Sequence, residues 1–393
     1  MKKLKINSID IKGIGPIRNL CLDLNPGFNI ICGANGIGKT TILDCIAQSF
    51  TVQDWRVRCT AGIENGKWKL GYEYGDEGAR FFDHVTTSKY LNETDHNGCG
   101  LYEMAESVLA FKVNRYMSYV VVDSVNKDPS FQKGEFGRRA SAGADYKQIK
   151  QWFVNRYLWS AHANALDDAQ RSNLECAKKC FSEVCGEFRF KTINPTDNDV
   201  VIDTSQGPIE LEQLSAGYIA MVIVLLGIIK EIEYRFKNPT IKVEDFNGVV
   251  ILDEMDVHLH PTMQARMYLA LKALLPNAQI ITSTHSPHII QVAKPAEIIP
   301  LVRDGVDVRI NPLVNQEYGC QGWTVEEILK DVMGMQESRT EEYRNLMAQF
   351  NRGIQIENPN DVKNAFEKLD RMLHPESVLR EVIKIQKIGL CND

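Results

Sequence analysis

Apolar and polar positions alternate from Leu4 to Ile31 (Leu4, Ile6; Ile9, Ile11; Leu20, Leu22, Leu24; Phe28, Ile30). Gly13, Gly15, Pro16 and Pro26-Gly27 punctuate the run, which predicts three short strands. Between Trp55 and Asp123 a strand-like alternation (Trp68, Leu70, Tyr72, Tyr74) is interrupted by Gly- and Asp-rich turns and ends in the β-branched run Tyr119 to Val122, read as a further strand. From about Asp145 to Phe190 the period changes: Ile149, Phe153 and Tyr157 recur at helical spacing. Strands resume at Val200 to Ile202. A helix after Gly217, a strand at Val249 to Leu252, a helix after Pro261 and a strand at Gln279 to Thr282 then follow in order. That alternation predicts a parallel α/β sheet.

After Gly322 the strand pattern stops. Thr324-Val325-Glu326-Glu327 has the form of a capping box, and further helices are expected from near Thr340, from Asn360 and after Pro375. The expected layout is one interrupted α/β domain over 1–320, with a helical insertion at about 125–195, and a small helical domain over 321–393. Among the 393 residues, 45 Lys and Arg stand against 51 Asp and Glu, so any strongly basic surface must be local. The ten cysteines include no C-x-x-C pair, and Cys176, Cys180 and Cys185 have no histidine beside them. They read as reduced thiols of a cytoplasmic protein. No signal peptide is recognised at the N-terminus, and the run Ile219 to Ile229 has about half the ~20 residues needed to cross a bilayer, so it reads as a buried helix with no membrane partner.

Gly33-Ala34-Asn35-Gly36-Ile37-Gly38-Lys39-Thr40 fits G-x-x-x-x-G-K-[ST] between a predicted strand and a predicted helix. A chance match in a chain of this length is a roughly one-in-a-hundred event before that context is required. Backbone N–H groups of Gly33, Asn35, Gly36 and Gly38, with Thr41 in the first helical turn, would face phosphate oxygens. Lys39 would reach the β- and γ-phosphates, and Thr40 would bind Mg²⁺. Val249 to Leu252 leads into Asp253 and Glu254, a Walker B pattern in which Asp253 holds Mg²⁺ and Glu254 activates the attacking water. The implied cofactors are ATP and Mg²⁺.

Leu214-Ser215-Ala216-Gly217-Tyr218, between the two Walker elements, resembles the signature of ABC-type ATPases. Asp253 to Pro261 and Thr282 to Pro287 resemble the D-loop and switch-histidine elements of the RecF/OLD/SMC-like branch. The resemblance implies an ABC-type α/β head with a mixed β lobe. It implies that Ser215 and Gly217 address the γ-phosphate held by an opposing subunit, that Asp256 communicates across the dimer, and that His285 senses the γ-phosphate or the water. Taken without the family, Leu-Ser-x-Gly is a helix N-cap, and Asp256-x-His258-x-His260 offers metal binding as a second reading. No glutamine lies between Met117 and Ser124, where a Q-loop is expected, and Gln53 and Gln132 fit that role poorly.

A transporter subunit, a tethering protein with coiled-coil arms and a Toprim nuclease each lack support in the chain. Tyr318 to Gly334 and the tail beyond resemble PtuA-type ATPases of Septu and retron antiphage systems. That resemblance implies self-association and a separate nuclease partner of HNH type. A RecF-like repair ATPase and a nucleotide-gated scaffold with negligible turnover are the alternatives. Lys133, Arg138, Arg139, Lys147, Lys150 and Arg156, set among aromatics, mark the insertion as a candidate DNA or RNA contact, with the aromatics themselves read as core.

Overall fold

In the computed structural model the described residues are 2–51, 57–89, 100–113, 121–143, 148–312, 317–335 and 339–390. The chain divides into two compact units, Met1–Gly334 and Met335–Asp393. In the first, strands β1 (Leu4–Ile14), β2 (Ile17–Asp23), β4 (Gly66–Tyr74) and β5 (Glu77–Thr86) form an antiparallel sheet in the order β2-β1-β4-β5. The second sheet runs β13-β12-β3-β11-β10-β6, from β3 (Phe28–Gly33), β6 (Val108–Phe111), β10 (Val249–Leu252), β11 (Gln279–Ser283), β12 (Ile298–Asp304) and β13 (Asp307–Ile310). All its pairings are parallel except that of β12 with β13.

Successive residues of these central strands enter different cores, because side chains alternate across a strand. Val249, Ile251, Ile281 and Ile31 pack with the antiparallel sheet and helix α1 (Lys39–Gln48). Val250, Leu252, Ile280 and Ile30 pack on the other face with α3 (Ile149–Ser160), α4 (Asp168–Val184), α5 (Ala216–Arg235) and α6 (Pro261–Leu274). Burial on both faces explains why the strands read as unbroken apolar runs. Register brings the strand ends level: Leu252 lies opposite Thr282, and Ser283 opposite Ile31. The carboxyl edge of the sheet is thereby the one place where the loops after β3, β10 and β11 meet.

The insertion contains α2 (Lys133–Ala142), α3 and α4, followed by the small antiparallel sheet of β7 (Arg189–Ile193), β8 (Val200–Thr204) and β9 (Gly207–Glu210). Here the structure corrects the charge reading. Arg139 pairs with Glu231 of α5, Lys150 with Asp199 and with Glu212 at 2.6 Å, and Arg156 with Glu233 at 2.6 Å and Asp128 at 2.5 Å. Lys150 and Arg156 are buried. Arg139 and Arg156 tie the insertion to the back half of α5, and Lys150 is held by Asp199 and Glu212, so these three are committed to ion pairs, whereas Arg138 is exposed. Lys147 lies outside the described residues. Of the aromatics read as core, Trp152 and Phe153 are buried as expected and Tyr157 is half-buried, but Trp159 is 45% exposed.

Burial raises the pKa of the Glu233 carboxyl, against the opposing pull of Arg156 and of the indole N–H of Trp152, which donates to it at 2.9 Å. Arg156→Met should therefore strand a desolvated carboxylate and cost about 3–5 kcal/mol in denaturant unfolding, whereas Arg156→Met with Glu233→Leu should cost much less. Equal losses in the two variants would remove the ion pair as the cause.

Two further expectations change. Val121 is 57% exposed and residues 121–123 form no strand; Tyr119 and Val120 lie outside the described residues. The strand beside β10 is instead β6, four residues that are all buried. The helix capped by Thr324, α8 (Val325–Glu327), continues as a π-helical turn through Val332. Ile328, Val332 and Met333 join the core of the first unit, so the units separate at Gly334 rather than at residue 320.

The second unit packs α9 (Glu341–Gln355), α10 (Pro359–Met372) and α11 (Val378–Leu390) around Phe350, Val362, Leu369 and Ile383. Gly353 lets α9 and α10 approach closely, since a Cβ there would lie 2.8 Å from Val362 Cγ2. Arg380 grips Asp370 with two bonds, of 2.6 and 3.0 Å.

Candidate active site

A cavity of about 780 Å³ opens at the carboxyl edge of the parallel sheet. Its lining includes Asn35, Gly36, Gly38, Lys39, Thr40, Thr41, Glu254 and His285. The loop before α1 has the conformation its glycines predict. Gly33 and Gly38 have φ of +139° and +113°, and a Cβ on Gly38 would lie 2.7 Å from Ile17 Cγ1. Lys39 is buried and folds back across the loop, its ammonium donating to the carbonyls of Gly33 (3.0 Å) and Ala34 (3.1 Å). Burial lowers its pKa, partly offset by Cys32 and by the carboxylates Glu254, Asp256 and Asp253.

Thr40 Oγ1 donates to Asp253 Oδ1 at 3.2 Å, and Ser283 Oγ donates to the same oxygen at 2.7 Å. A hydroxyl and a carboxylate at the mouth of a phosphate loop are the hard oxygen donors Mg²⁺ takes, so the pair fits that ion. Glu254 sits next in the chain with φ of +46°, a left-handed conformation unusual for a residue with a side chain. Its N–H is held by Ser283 Oγ at 2.7 Å. Asp256 accepts from Thr284 Oγ1 at 2.6 Å and from the His285 N–H at 3.1 Å, so the loop after β10 steers the loop after β11. Burial lowers the His285 pKa and the nearby Lys39 cation adds to the effect, against the opposing pull of Asp256, Glu254 and Asp253; the net shift favours the neutral imidazole.

Ser215 and Gly217 do not line this cavity. Ser215 is the N-cap of α5, exposed and without a side-chain capping bond. A Cβ on Gly217 would lie 3.0 Å from the His258 carbonyl, which packs the signature against the loop after β10. His260 caps α6, with Pro261 in its first turn, as the sequence predicts. Neither His258 nor His260 belongs to a metal-type cluster among the described residues. The one such group there is Asp197, Asp199 and Glu210, and Asp199 already pairs with Lys150.

No glutamine follows β6 before Gln132, and Gln53 lies outside the described residues. The residue that follows β6 is Lys112, paired with Asp44 of α1. Sequence reasoning missed Gly15, Pro16, Arg58, Cys59, Ala61 and Lys89, which complete the cavity lining. Local motifs carry no trace of them, because the antiparallel sheet delivers them.

A parallel sheet whose carboxyl edge gathers phosphate loop, Walker B carboxylates and histidine, beside an antiparallel lobe and a signature helix with an exposed N-cap, is the architecture of an ABC-type P-loop ATPase head. Residues 8–95 match the family description AAA domain, and residues 148–290 match AAA ATPase domain. Septu protein PtuA of Bacillus thuringiensis is 39% identical, over 98% of this chain and 98% of its own length. The chain belongs to the Septu PtuA family. It is also similar to the Retron Ec83 probable ATPase of Escherichia coli, 21% identical over 73% of this chain and 69% of the relative. Among solved structures, the SMC head domain from Thermotoga maritima is 13% identical with a TM-score of 0.41, covering 78% of this chain and 98% of that one. Among the described residues no helix is long and apolar enough to cross a membrane.

Proposed function

We propose that this protein is the ATP-binding and ATP-hydrolysing subunit of an antiphage defence complex, in which two heads close on two ATP molecules and thereby regulate a separate nuclease. The observation that carries the reading is the division of the ATPase parts. Lys39, Thr40, Asp253, Glu254 and His285 converge on one edge, while Ser215, at the N-terminus of α5, is exposed and outside that cavity. A helix N-terminus outside its own head's cavity suits a phosphate presented by a second copy. Thr40 and Asp253 would hold Mg²⁺, which supplies charge neutralisation to the β- and γ-phosphates. Lys39 would bind phosphate, Glu254 would accept the proton of the attacking water, and neutral His285 would orient the water or the γ-phosphate. Kinship with the Septu and retron relatives supports the defence role, and the resemblance of the tail to PtuA-type ATPases supports an HNH nuclease as partner.

Ser215→Arg tests the two-headed arrangement. Each head should bind ATP with parental affinity, because Ser215 is outside its own cavity. ATP-dependent self-association, followed by light scattering, should be lost, and turnover should fall at least about tenfold with the loss of the phosphate contact at the helix N-terminus. Parental association with ATP in this variant would overturn the proposal.

A further inference from the structure

Strand β11 ends against the loop after β10, and the bonds between them advance along both segments together. Thr282 Oγ1 donates to the Leu252 carbonyl at 2.7 Å, and Thr284 Oγ1 donates to Asp256 at 2.6 Å. Between them, Ser283 holds three consecutive residues. Its Oγ donates to Asp253 Oδ1 (2.7 Å) and accepts from the Glu254 N–H (2.7 Å), and its carbonyl accepts from the Met255 N–H (3.0 Å). Ser283 is 1% exposed, so these bonds are shielded from water.

A serine hydroxyl has one proton to give, and here it goes to the carboxylate, which leaves a lone pair to receive the amide. A single oxygen atom thereby orients two residues with different tasks. Asp253 is the carboxylate assigned to Mg²⁺, and its Oδ1 also accepts from Thr40 at 3.2 Å. Thr40 is itself assigned to the ion, whereas Ser283 anchors that oxygen from a group with no part in metal binding. Glu254, the assigned base, has φ of +46°, and so unusual a backbone persists only where its surroundings impose it. The Ser283 hydroxyl meets the amide at that very residue.

We propose that Ser283 is a positioning residue of the ATPase reaction, whose hydroxyl sets the Mg²⁺-binding carboxylate of Asp253 and the base Glu254 relative to each other. The inference deepens the ATPase reading and rests on it. It assigns two separable effects to one hydroxyl: through Asp253 it serves metal affinity, and through Glu254 it serves the chemical step.

The test compares the parent with Ser283→Ala, Ser283→Thr, Glu254→Gln and the double variant Ser283→Ala with Glu254→Gln. ATP binding without metal is measured by calorimetry, and Mn²⁺, a paramagnetic stand-in for Mg²⁺, is titrated into the ADP complex by electron spin resonance, alongside steady-state ATPase. Without metal, Ser283→Ala should bind ATP with parental affinity, because Lys39 is untouched and the bonds at Met255 and Thr282 keep the loop in place. Its Mn²⁺ affinity and its kcat should each fall about ten- to one-hundred-fold, the usual cost of removing a partner that orients a metal ligand. In the Glu254→Gln background the same change should still weaken Mn²⁺ but leave kcat where it was, since the base that Ser283 sets is already gone. Ser283→Thr keeps the hydroxyl and should recover part of both losses.

Parental Mn²⁺ affinity and kcat in Ser283→Ala overturn the inference while leaving the ATPase reading intact. So does a change in only one of the two quantities, or an equal further fall of kcat in the Glu254→Gln background. Loss of metal-free ATP binding, or of the fold, in Ser283→Ala shows a structural role and overturns it too. A parent that does not hydrolyse ATP overturns the ATPase reading and this inference with it.

Discussion

Glu254→Gln is expected to lower kcat by about 10²–10⁴-fold, the range that a positioned general base supplies, while ATP remains bound. The substitution is nearly isosteric, and the geometry around it does not depend on the charge. The backbone of Glu254 is fixed by Ser283 Oγ, and its left-handed conformation is no less accessible to Gln than to Glu. Lys39, Thr40 and Asp253 are untouched, so the phosphate and Mg²⁺ contacts persist. With hydrolysis blocked and binding intact, ATP should hold the two-headed assembly closed, visible in light scattering as a species that survives removal of free nucleotide. Hydrolysis at the parental rate would transfer the base to another group, with His285 the neighbour to examine.

The parts of the site readable in the sequence are those whose chemistry is local. A phosphate loop needs its glycines, lysine and threonine within eight residues, and a Walker B carboxylate needs only the strand it terminates. Three cations of the insertion were misread for the opposite reason. Counting charge between Lys133 and Arg156 gives a basic stretch, but the acids that pair with Arg139 and Arg156 lie elsewhere: Glu231 is 92 positions from Arg139, and Glu233 is 77 from Arg156. Such compensation is invisible to any local window. Strand β6 was missed because both its faces are buried and four residues show no alternation. The run Tyr119 to Val122 has strand composition, yet none of its described residues is in a strand, since propensity without a pairing partner decides little. Arg58 and Lys89 were illegible for a similar reason: a bond between Cys59 and Ser88 brings together segments thirty residues apart.

Lys39→Ala should abolish nucleotide binding without weakening the fold, and the two halves of that expectation have one cause. The Lys39 ammonium is buried against the carbonyls of Gly33 and Ala34, and burial lowers its pKa. A folded-state pKa below the unfolded value means that the charged form is disfavoured by folding at every pH below that pKa, so losing the charge carries no stability penalty there. The cost appears only when phosphate arrives. Contacts from one ammonium to two phosphate groups, at about 1.5–3 kcal/mol each, amount to an affinity loss of at least about 10²-fold. Thermal unfolding separates the two effects. The unliganded variant should melt at or above the parental temperature, and ATP at about one hundred times the parental Kd, which stabilises the parent by about 2.7 kcal/mol, should leave the variant's transition unmoved. An ATP-induced shift of parental size would remove Lys39 from the phosphate site. A lowered melting temperature without nucleotide would instead show that the ammonium braces the loop, contrary to the pKa argument.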